Sequence, residues 1–355
     1  MCLFGFTVNI LEKPRKNDLA RIGSFLALFS LSLEGEPDVS VVVEDAAGNI
    51  AGTGSLQGNV IRMMAVDPGW QEAGLSGTIT SRLVEWGRAR GITHFFVFTK
   101  PEASEKFLGF GFRELARYEP FAALLEMGQP GIFQFREYLD TLRAPLTGGE
   151  LAGSIVVNCN PFTKGHQYLA EQAASRCARL YVIVVEADLS SFPFKDRFEL
   201  VTAGTSHIPN VTIVRSGEYA VSSATFPSYF LKDASLEKIA SIQARLDVTL
   251  FANLFVPALG ISVRFVGTEP YCSVTGSYNE AMKEILPPRG VALEVIDRSV
   301  LDDGDVISAS TVRAMLKEDM WDGVRRMVPE STWDYLHSEK GKDVIEKIKR
   351  SNGRH

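Results

Sequence analysis

The stretch "VNCNPFTKGHQYLAEQAA" (residues 157–174) decides the fold, because an apolar strand ends in it and a helix begins. Pro161 stiffens the loop between them, and Thr163 is a good N-cap for the helix. Gly165 lets the backbone come close to a ligand, and His166 lies three residues after Thr163, so both side chains face the same way. Since helix N-termini favour phosphate, this joint predicts a phosphate site.

Outward from this stretch, apolar strands alternate with helices along the second half of the chain. The predicted strands are "SIVVN", "LYVIVVEA", "VTIVRS", "SVRFVG" and "ALEVIDR". The alternation predicts a Rossmann-like domain with a parallel sheet, whose site lies at the carboxyl ends of the strands.

The first half has a different pattern, which predicts a mixed α/β domain. Its strands "VSVVVED", "GNIAGTGSLQGNVIRMMAV" and "THFFVFT" surround the amphipathic helix of "GWQEAGLSGTITSRLVEWGRARG". The Gly- and Pro-containing stretch "TLRAPLTGGELAG" separates the two halves. The expected division is a first domain over 1–140, a linker over 141–152, a catalytic domain over 153–340 and a basic C-terminal tail over 341–355.

Composition narrows the class of protein. The net charge is −6, which argues against broad binding to nucleic acid. The four cysteines include no C-x-x-C pair, so no zinc-site spacing is present. The longest apolar runs are interrupted, as by Asp247, Asn253 and Pro257, so no membrane span is predicted and the cytoplasm is the expected compartment.

A second motif, "VISASTVRAML" (residues 306–316), follows the last apolar strand. Ser308, Ser310 and Thr311 cluster at a predicted helix N-terminus, and Arg313 sits at the opening of that helix. Hydroxyls, free N–H groups and a guanidinium in one turn make a polyphosphate clamp. Alone, the segment fits a serine cap and a solvated arginine equally well; its place on the same sheet as the first motif favours the clamp.

The two motifs T-K-G-H and I-S-A-S-T-V-R resemble the (T/H)-x-G-H and I-S-S-T-x-x-R motifs of the nucleotidyltransferase superfamily. The segments "FPFKDRFELV", "SATFPSYFLKD" and "VPALGISVRFVGTEPYCSVTGSYNEAM" resemble one branch of it, the citrate lyase ligases. Members of that branch also carry an acetyltransferase-like (GNAT) domain at the N-terminus. The resemblance covers nearly the whole chain and implies a GNAT-like mixed α/β domain followed by a Rossmann-like nucleotidyltransferase domain.

The resemblance also implies an AMP-forming acid–thiol ligase. The family reaction uses acetate and ATP with Mg²⁺ to acetylate a thiol through acetyl-adenylate, releasing AMP and pyrophosphate. That thiol belongs to the phosphoribosyl-dephospho-coenzyme A group on the acyl carrier subunit of citrate lyase, the expected partner. Mg²⁺ is expected on ATP oxygens and water, without a dedicated metal site in the protein.

Residue roles follow from the same resemblance. Thr163 and His166 are expected to polarise the α- and β-phosphates, and Arg313 to stabilise the departing pyrophosphate. Arg197 is expected to orient its segment, and Cys159 to be a packed cysteine with no acyl-carrying role. The remaining residues expected to bind ATP are Asn158, Asn160, Gly165, Lys195, Gly267, Glu269, Ser308, Ser310 and Thr311. For Lys195 a solvated lysine is an equal alternative.

In the first domain, "VDPGWQEAGLSG" resembles the acetyl-coenzyme A loop of acetyltransferases, Q/R-x-x-G-x-G/A. The matching residues are Gln71, Gly74 and Ser76, with Gly77 next, so the last position is neither Gly nor Ala. Binding of the coenzyme-like arm of the carrier subunit and a scaffold role are both open for this domain. Two other functions also remain open: an adenylyltransferase for a small acceptor such as phosphopantetheine, and an acetyltransferase with a nucleotide-sensing module.

Overall fold

The computed structural model of the protein describes residues 2–3, 5–186, 190–221, 226–232, 234–268, 273–297 and 307–350. Two compact units divide the chain: unit 1 comprises Met1–Phe135 and Thr225–Thr249, and unit 2 comprises Arg136–Ala224 and Leu250–His355. The strands are β1 (Cys2–Leu3), β2 (Phe6–Glu12), β3 (Val39–Glu44), β4 (Ile50–Gln57), β5 (Val60–Val66), β6 (His94–Thr99), β7 (Arg113–Tyr118), β8 (Ala122–Gly128), β9 (Ala152–Val157), β10 (Arg179–Val184), β11 (Val211–Arg215), β12 (Val263–Gly267) and β13 (Ala292–Ile296). The α-helices are α1 (Lys16–Ala27), α2 (Leu75–Arg88), α3 (Pro101–Gly109), α4 (Ile132–Leu142), α5 (Lys164–Ala174), α6 (Phe194–Gly204), α7 (Leu236–Leu259), α8 (Ser273–Ile285), α9 (Ala309–Lys317), α10 (Trp321–Met327), α11 (Glu330–His337) and α12 (Glu339–Arg350), with short 3-10 helices at Pro68–Ala73 and Pro287–Arg289.

Unit 2 is built on a parallel sheet of strand order β11-β10-β9-β12-β13. β9 lies at its centre, paired with β10 on one side and with β12 on the other. The chain moves from β9 outward to β11 and then crosses to the other side at β12. The switch point therefore lies at the carboxyl ends of β9 and β12, and the loop after β9 opens there. The predicted Rossmann-like parallel sheet is confirmed.

The core of unit 2 explains why its strands are continuous apolar runs. All residues of β10 from Leu180 to Val184 are buried, because both faces of a parallel sheet are covered by helices. The same hydrophobic cluster includes Val344, Ile345 and Ile348 of α12. The structure thus differs from the expectation of a basic tail from 341, since the apolar face of α12 packs into this core while its charges face outward.

Unit 1 contains a mixed sheet of strand order β1-β2-β3-β4-β5-β6-β8-β7. The β5–β6 pairing is parallel, and the neighbouring pairs β4–β5 and β6–β8 are antiparallel. Helix α2 buries Ile79 and Leu83 on this sheet, and an added Cβ at Gly54 would lie 2.7 Å from the Ile79 side chain. Glycine at that strand position therefore lets α2 approach closely, and the predicted mixed α/β class is confirmed.

One boundary between the units follows Phe135, close to the expected boundary near residue 141, but the chain also changes unit at two later places. Residues 225–249, which lie between β11 and β12 of unit 2, belong to unit 1. Helix α7 contributes its first part to unit 1 and its last part to unit 2. Within the described residues α7 is long and apolar enough to cross a membrane, but 61% of its most apolar window is buried inside the protein, which is typical of a core helix.

Candidate active site

The start of α5 is organised by a reciprocal cap between Thr163 and His166. Thr163 Oγ1 accepts a hydrogen bond from the His166 amide at 3.4 Å, and His166 Nδ1 accepts one from the Thr163 amide at 3.1 Å. Histidine thus takes the place that glutamate or glutamine holds in the usual capping box. The two side chains also meet directly, with Thr163 Oγ1 2.9 Å from Nδ1.

This cap fixes how the His166 ring can act. A backbone N–H only donates, so Nδ1 must accept, and the neutral ring then carries its proton on Nε2. The ring stacks on buried Phe162, with centroids 5.9 Å apart and planes 19° apart. Lys164 and Gly165 are the first two residues of α5, and no helical carbonyl precedes them, so their amides have no acceptor within the helix. The loop after β9 therefore presents a directed N–H donor beside helix-terminal amides, as an anion site requires.

The start of α9 is capped by Ser308. Its Oγ accepts a hydrogen bond from the Thr311 amide at 3.1 Å and lies 3.0 Å from Ser310 Oγ and 2.8 Å from Thr311 Oγ1. The three predicted hydroxyls therefore form one cluster at a helix N-terminus. Burial lowers the pKa of the Arg313 guanidinium.

Two contacts bring the motifs together. Arg313 Nη1 donates a hydrogen bond to the backbone carbonyl of Asn160, in the loop after β9. An added Cβ at Gly165 would lie 3.2 Å from the Ile307 carbonyl oxygen, one residue before the cap of α9. A side chain there would make a tight contact that the Ile307 backbone would have to relieve by a few tenths of an ångström, so Gly165 favours the close approach of the two helix starts, a reason that the sequence did not reveal.

Arg197, at the start of α6, connects the loops that follow β9 and β10. Its guanidinium is fully buried (0% exposed). Nη1 donates to the Asn158 carbonyl at 2.7 Å, to Asn158 Oδ1 at 2.9 Å and to the Val185 carbonyl at 2.8 Å, and Nε donates to the Phe192 carbonyl at 3.0 Å. Asn160 Oδ1 in turn accepts from the Phe192 amide at 3.0 Å. Arg197 thus has the orienting role predicted for it, and it fixes the backbone around Asn158 and Asn160.

The other residues of unit 2 that were predicted to bind ATP are Lys195, Gly267 and Glu269. Lys195 is exposed in the first turn of α6, beside buried Asp196, which accepts a hydrogen bond from the Tyr335 hydroxyl at 2.7 Å. Gly267 ends β12, so it lies on the same edge of the sheet as the loop after β9. Glu269 lies outside the described residues.

Sequence reasoning missed an ion pair at the carboxyl ends of β10 and β11. Arg215 Nε lies 2.9 Å from Glu186 Oε1, and Arg215 Nη2 lies 3.2 Å from Glu186 Oε2. Hydrogen bonding to Glu186 raises the pKa of Arg215. The sequence does contain a signal for this ion pair, because each of the two apolar runs ends in a charged residue, in "VVE" and "IVR".

Cys159 has the packed role expected from its position. The thiol is buried, and burial raises its pKa above the ordinary value, so the reactive thiolate is disfavoured. Its backbone has a left-handed φ of 53°, which belongs to the tight turn before Thr163.

Local contacts and backbone conformation explain the glycines of the predicted coenzyme loop in unit 1. Gly74 has a left-handed φ of 70° and joins the 3-10 helix Pro68–Ala73 to α2. Gln71 is exposed, and Thr80 Oγ1 donates to the Ser76 carbonyl at 2.8 Å. An added Cβ at Gly77 would lie 3.3 Å from the Phe110 ring, so this glycine allows α2 to pack on the "GFGF" turn.

Two capped helix starts at the switch point of a parallel sheet, with T-x-G-H on one and I-S-A-S-T-V-R on the other, define a nucleotidyltransferase-like α/β protein. The model of the family described as "Citrate lyase ligase C-terminal domain" matches residues 152–336. The chain is 37% identical to the [Citrate [pro-3S]-lyase] ligase of Klebsiella pneumoniae, over 92% of this chain and 93% of the relative. It is 35% identical to the ligase of that name from Escherichia coli (strain K12), over 92% of each chain. The chain belongs to the citrate lyase ligase family, and it is a ligase.

Solved structures show similarity of fold alone. A GNAT-family acetyltransferase from Staphylococcus aureus Mu50 has a TM-score of 0.29 and 14% identity, over 34% of this chain and 99% of that chain. Thermotoga maritima TmcAL, solved with alpha-thio ATP bound, has a TM-score of 0.38 and 13% identity, over 55% of this chain and 57% of that chain.

Proposed function

We propose that this ligase acetylates the prosthetic-group thiol on the acyl carrier subunit of citrate lyase, using acetate and ATP and releasing AMP and pyrophosphate. The observation that carries the proposal is the junction of the two helix starts through Arg313 and Gly165, in a chain of this family. The junction brings the amides of α5, the hydroxyls of α9, the His166 ring and the Arg313 guanidinium to one place, which is the donor set that a triphosphate needs.

The first chemical step forms acetyl-adenylate. An acetate oxygen attacks the α-phosphorus while the bond from that phosphorus to the bridging oxygen breaks, and the electron pair leaves with pyrophosphate. Acetate is already an anion, so this step needs no base. His166 donates from Nε2 to a phosphate oxygen, and Arg313 with the Ser308 cluster stabilises charge on the leaving group.

The second step forms the thioester. The thiol sulfur attacks the acetyl carbonyl carbon, the bond from that carbon to the AMP oxygen breaks, and the thiol proton passes to solvent. Mg²⁺ would enter with ATP, held by phosphate oxygens and water, and would neutralise charge on the phosphates.

The compartment proposed for this reaction is the cytoplasm. The free cysteines Cys159 and Cys177 support it, since free thiols are stable under reducing conditions.

The test is exchange of labelled pyrophosphate into ATP with Mg²⁺, in the absence of acceptor, with acetate, and with 4′-phosphopantetheine. We expect exchange that requires acetate, because only reversible formation of acetyl-adenylate returns pyrophosphate to ATP. Exchange with phosphopantetheine and not with acetate would establish a small-molecule adenylyltransferase instead.

Arg313→Lys is expected to lower kcat of acetate-dependent exchange by about 10²-fold. Lysine keeps the charge but lacks the planar fork that can bind the Asn160 carbonyl and a phosphate oxygen at once. Initial rates at varied ATP separate kcat from KM. The matched control is Arg289→Lys, because Arg289 also donates to a backbone carbonyl, that of Ile285 at 3.1 Å. Equal rates for the two variants would remove Arg313 from the mechanism.

A further inference from the structure

Strands β5 and β6 of unit 1 separate part of the way along their length. Their parallel pairing covers Val60 with Phe96 and Ile61 with Val97. Met63, two residues beyond Ile61, has a left-handed φ of 53°, and the register between β4 and β5 shifts at this place. The bulge turns β5 away from β6, so a gap opens toward the carboxyl ends of both strands.

Backbone groups at this gap need partners. The Phe96 amide donates to the Asn59 carbonyl at 2.9 Å, so the backbone groups of Phe96 point toward β5. Phe98 lies two residues further and therefore points its carbonyl to the same side. If pairing continued, that carbonyl would accept from β5, and an unpaired buried carbonyl would be costly.

Tyr229, from the segment of the chain between β11 and β12, lies at this gap. Its hydroxyl donates to the Phe98 carbonyl of β6 at 2.8 Å, and the guanidinium carbon of Arg62 in β5 lies 5.8 Å from the centroid of its ring. The side chain is buried, and burial raises its pKa above the ordinary value, so the hydroxyl keeps its proton. One side chain thus contacts both strands, β6 through its hydroxyl and β5 through its ring.

The segment around Tyr229 is firmly bound to unit 1. The Glu34 carboxylate accepts from the Ser228 amide at 3.0 Å and from the Tyr229 amide at 2.9 Å, and Arg62 donates to it at 2.6 Å. The Ser32 amide donates to the Tyr229 carbonyl at 2.9 Å. The bonds to Ser228 and Tyr229 join positions almost 200 residues apart and use the backbone of the segment, so they hold its position as well as its side chains.

We propose that residues 226–232 are a plug that closes the gap between β5 and β6 to the thiol arm of a coenzyme A-type ligand. β5 leads directly into the 3-10 helix Pro68–Ala73 and α2, so a ligand whose pyrophosphate lay at the start of α2 would run its arm toward this gap. The arm could enter only after Tyr229 had left. Unit 1 is therefore an anchor for the chain that connects β11 to β12, and it does not bind a thiol cofactor in this gap.

Hydrogen exchange on the full-length protein tests the contact with β6. Tyr229→Phe keeps the ring but removes the donor to the Phe98 carbonyl, and we expect exchange in the peptide covering β6 to become at least about tenfold faster. Tyr181→Phe is the matched control, because the Tyr181 hydroxyl accepts from the Ala144 amide in unit 2. Unchanged exchange of β6 in Tyr229→Phe would show that the Tyr229 hydroxyl does not hold this strand.

Adding coenzyme A at millimolar concentration tests the closure. We expect exchange of the β5 peptide and of residues 226–232 to stay the same, whether or not coenzyme A binds elsewhere through its nucleotide. Faster exchange of residues 226–232 together with slower exchange of β5 would show that the arm displaces Tyr229, and the proposal would be wrong. Both readouts are independent of ligase activity, so they remain valid if the proposed reaction is not observed.

Discussion

His166→Asn is expected to lower acetate-dependent pyrophosphate exchange by about 10²–10³-fold while α5 stays capped. Asparagine places an amide oxygen near the position of Nδ1, where it can accept from the Thr163 amide. It has no donor at the position of Nε2. The variant therefore separates the two functions of this ring, the cap on one nitrogen and the phosphate contact on the other.

Two further variants make this result interpretable. His166→Ala removes both functions and should also lower the free energy of unfolding by about 1 kcal/mol, the usual value of a lost helix cap. His207→Asn is the matched control: His207 is exposed, and its Nε2 lies 2.8 Å from Glu171 Oε1 on the same helix α5. If His166→Asn keeps exchange within a few-fold of the parent while His166→Ala loses it, the histidine acts only as a cap.

Arg197→Met is expected to have the largest effect on stability. Methionine fills similar space, but the carbonyls of Asn158, Val185 and Phe192 lose their donor. Phe192 is buried and Val185 is half-buried, and each such acceptor left unsatisfied costs about 1–3 kcal/mol, so we expect the free energy of unfolding to fall by at least about 2 kcal/mol. Thermal unfolding of a unit of this size should then shift down by about 4–8 °C.

The same substitution should also remove exchange activity below its lowered unfolding temperature. Arg197 acts by holding the backbone of the site in place. It donates to the carbonyls of Asn158 and Phe192, and the Phe192 amide donates to Asn160 Oδ1. The Asn160 carbonyl in turn accepts from Arg313. Arg176→Met is the control, because Arg176 is exposed and pairs with Glu294 at 3.3 Å, a contact worth about 0–1 kcal/mol. A stability loss for Arg197→Met no larger than that of the control would show that the buried guanidinium is dispensable.

The comparison of the two motifs shows what a sequence can and cannot reveal about a site. Thr163, His166, Ser308 and Thr311 were predicted because caps and helix starts are local: three or four residues determine them. The contact of Arg313 with Asn160 spans 153 residues. No pattern in either segment encodes that contact, because it depends on where the sheet places the two helices.

Unit 1 shows the same limit at the level of domains. Alternating apolar strands and an amphipathic α2 predicted its mixed sheet, because strand and helix periodicity are written into adjacent residues. The assignment of residues 225–249 to unit 1 was not predictable, since an apolar helix such as α7 buries itself equally well in either core. The hydrogen bonds of Glu34 and Phe98 with Tyr229 decide it.

The sequence by itself therefore determined the order of strands and helices, the capped helix starts and the family, because these depend on short-range propensity and on motif residues. The tertiary structure alone decided that Arg197 is a buried connector, that Gly165 serves the approach of α9, and that α12 packs into the core and is no tail. The physical reason is that burial and hydrogen bonding between distant segments depend on the folded arrangement, whereas capping and periodicity depend on neighbours in the chain.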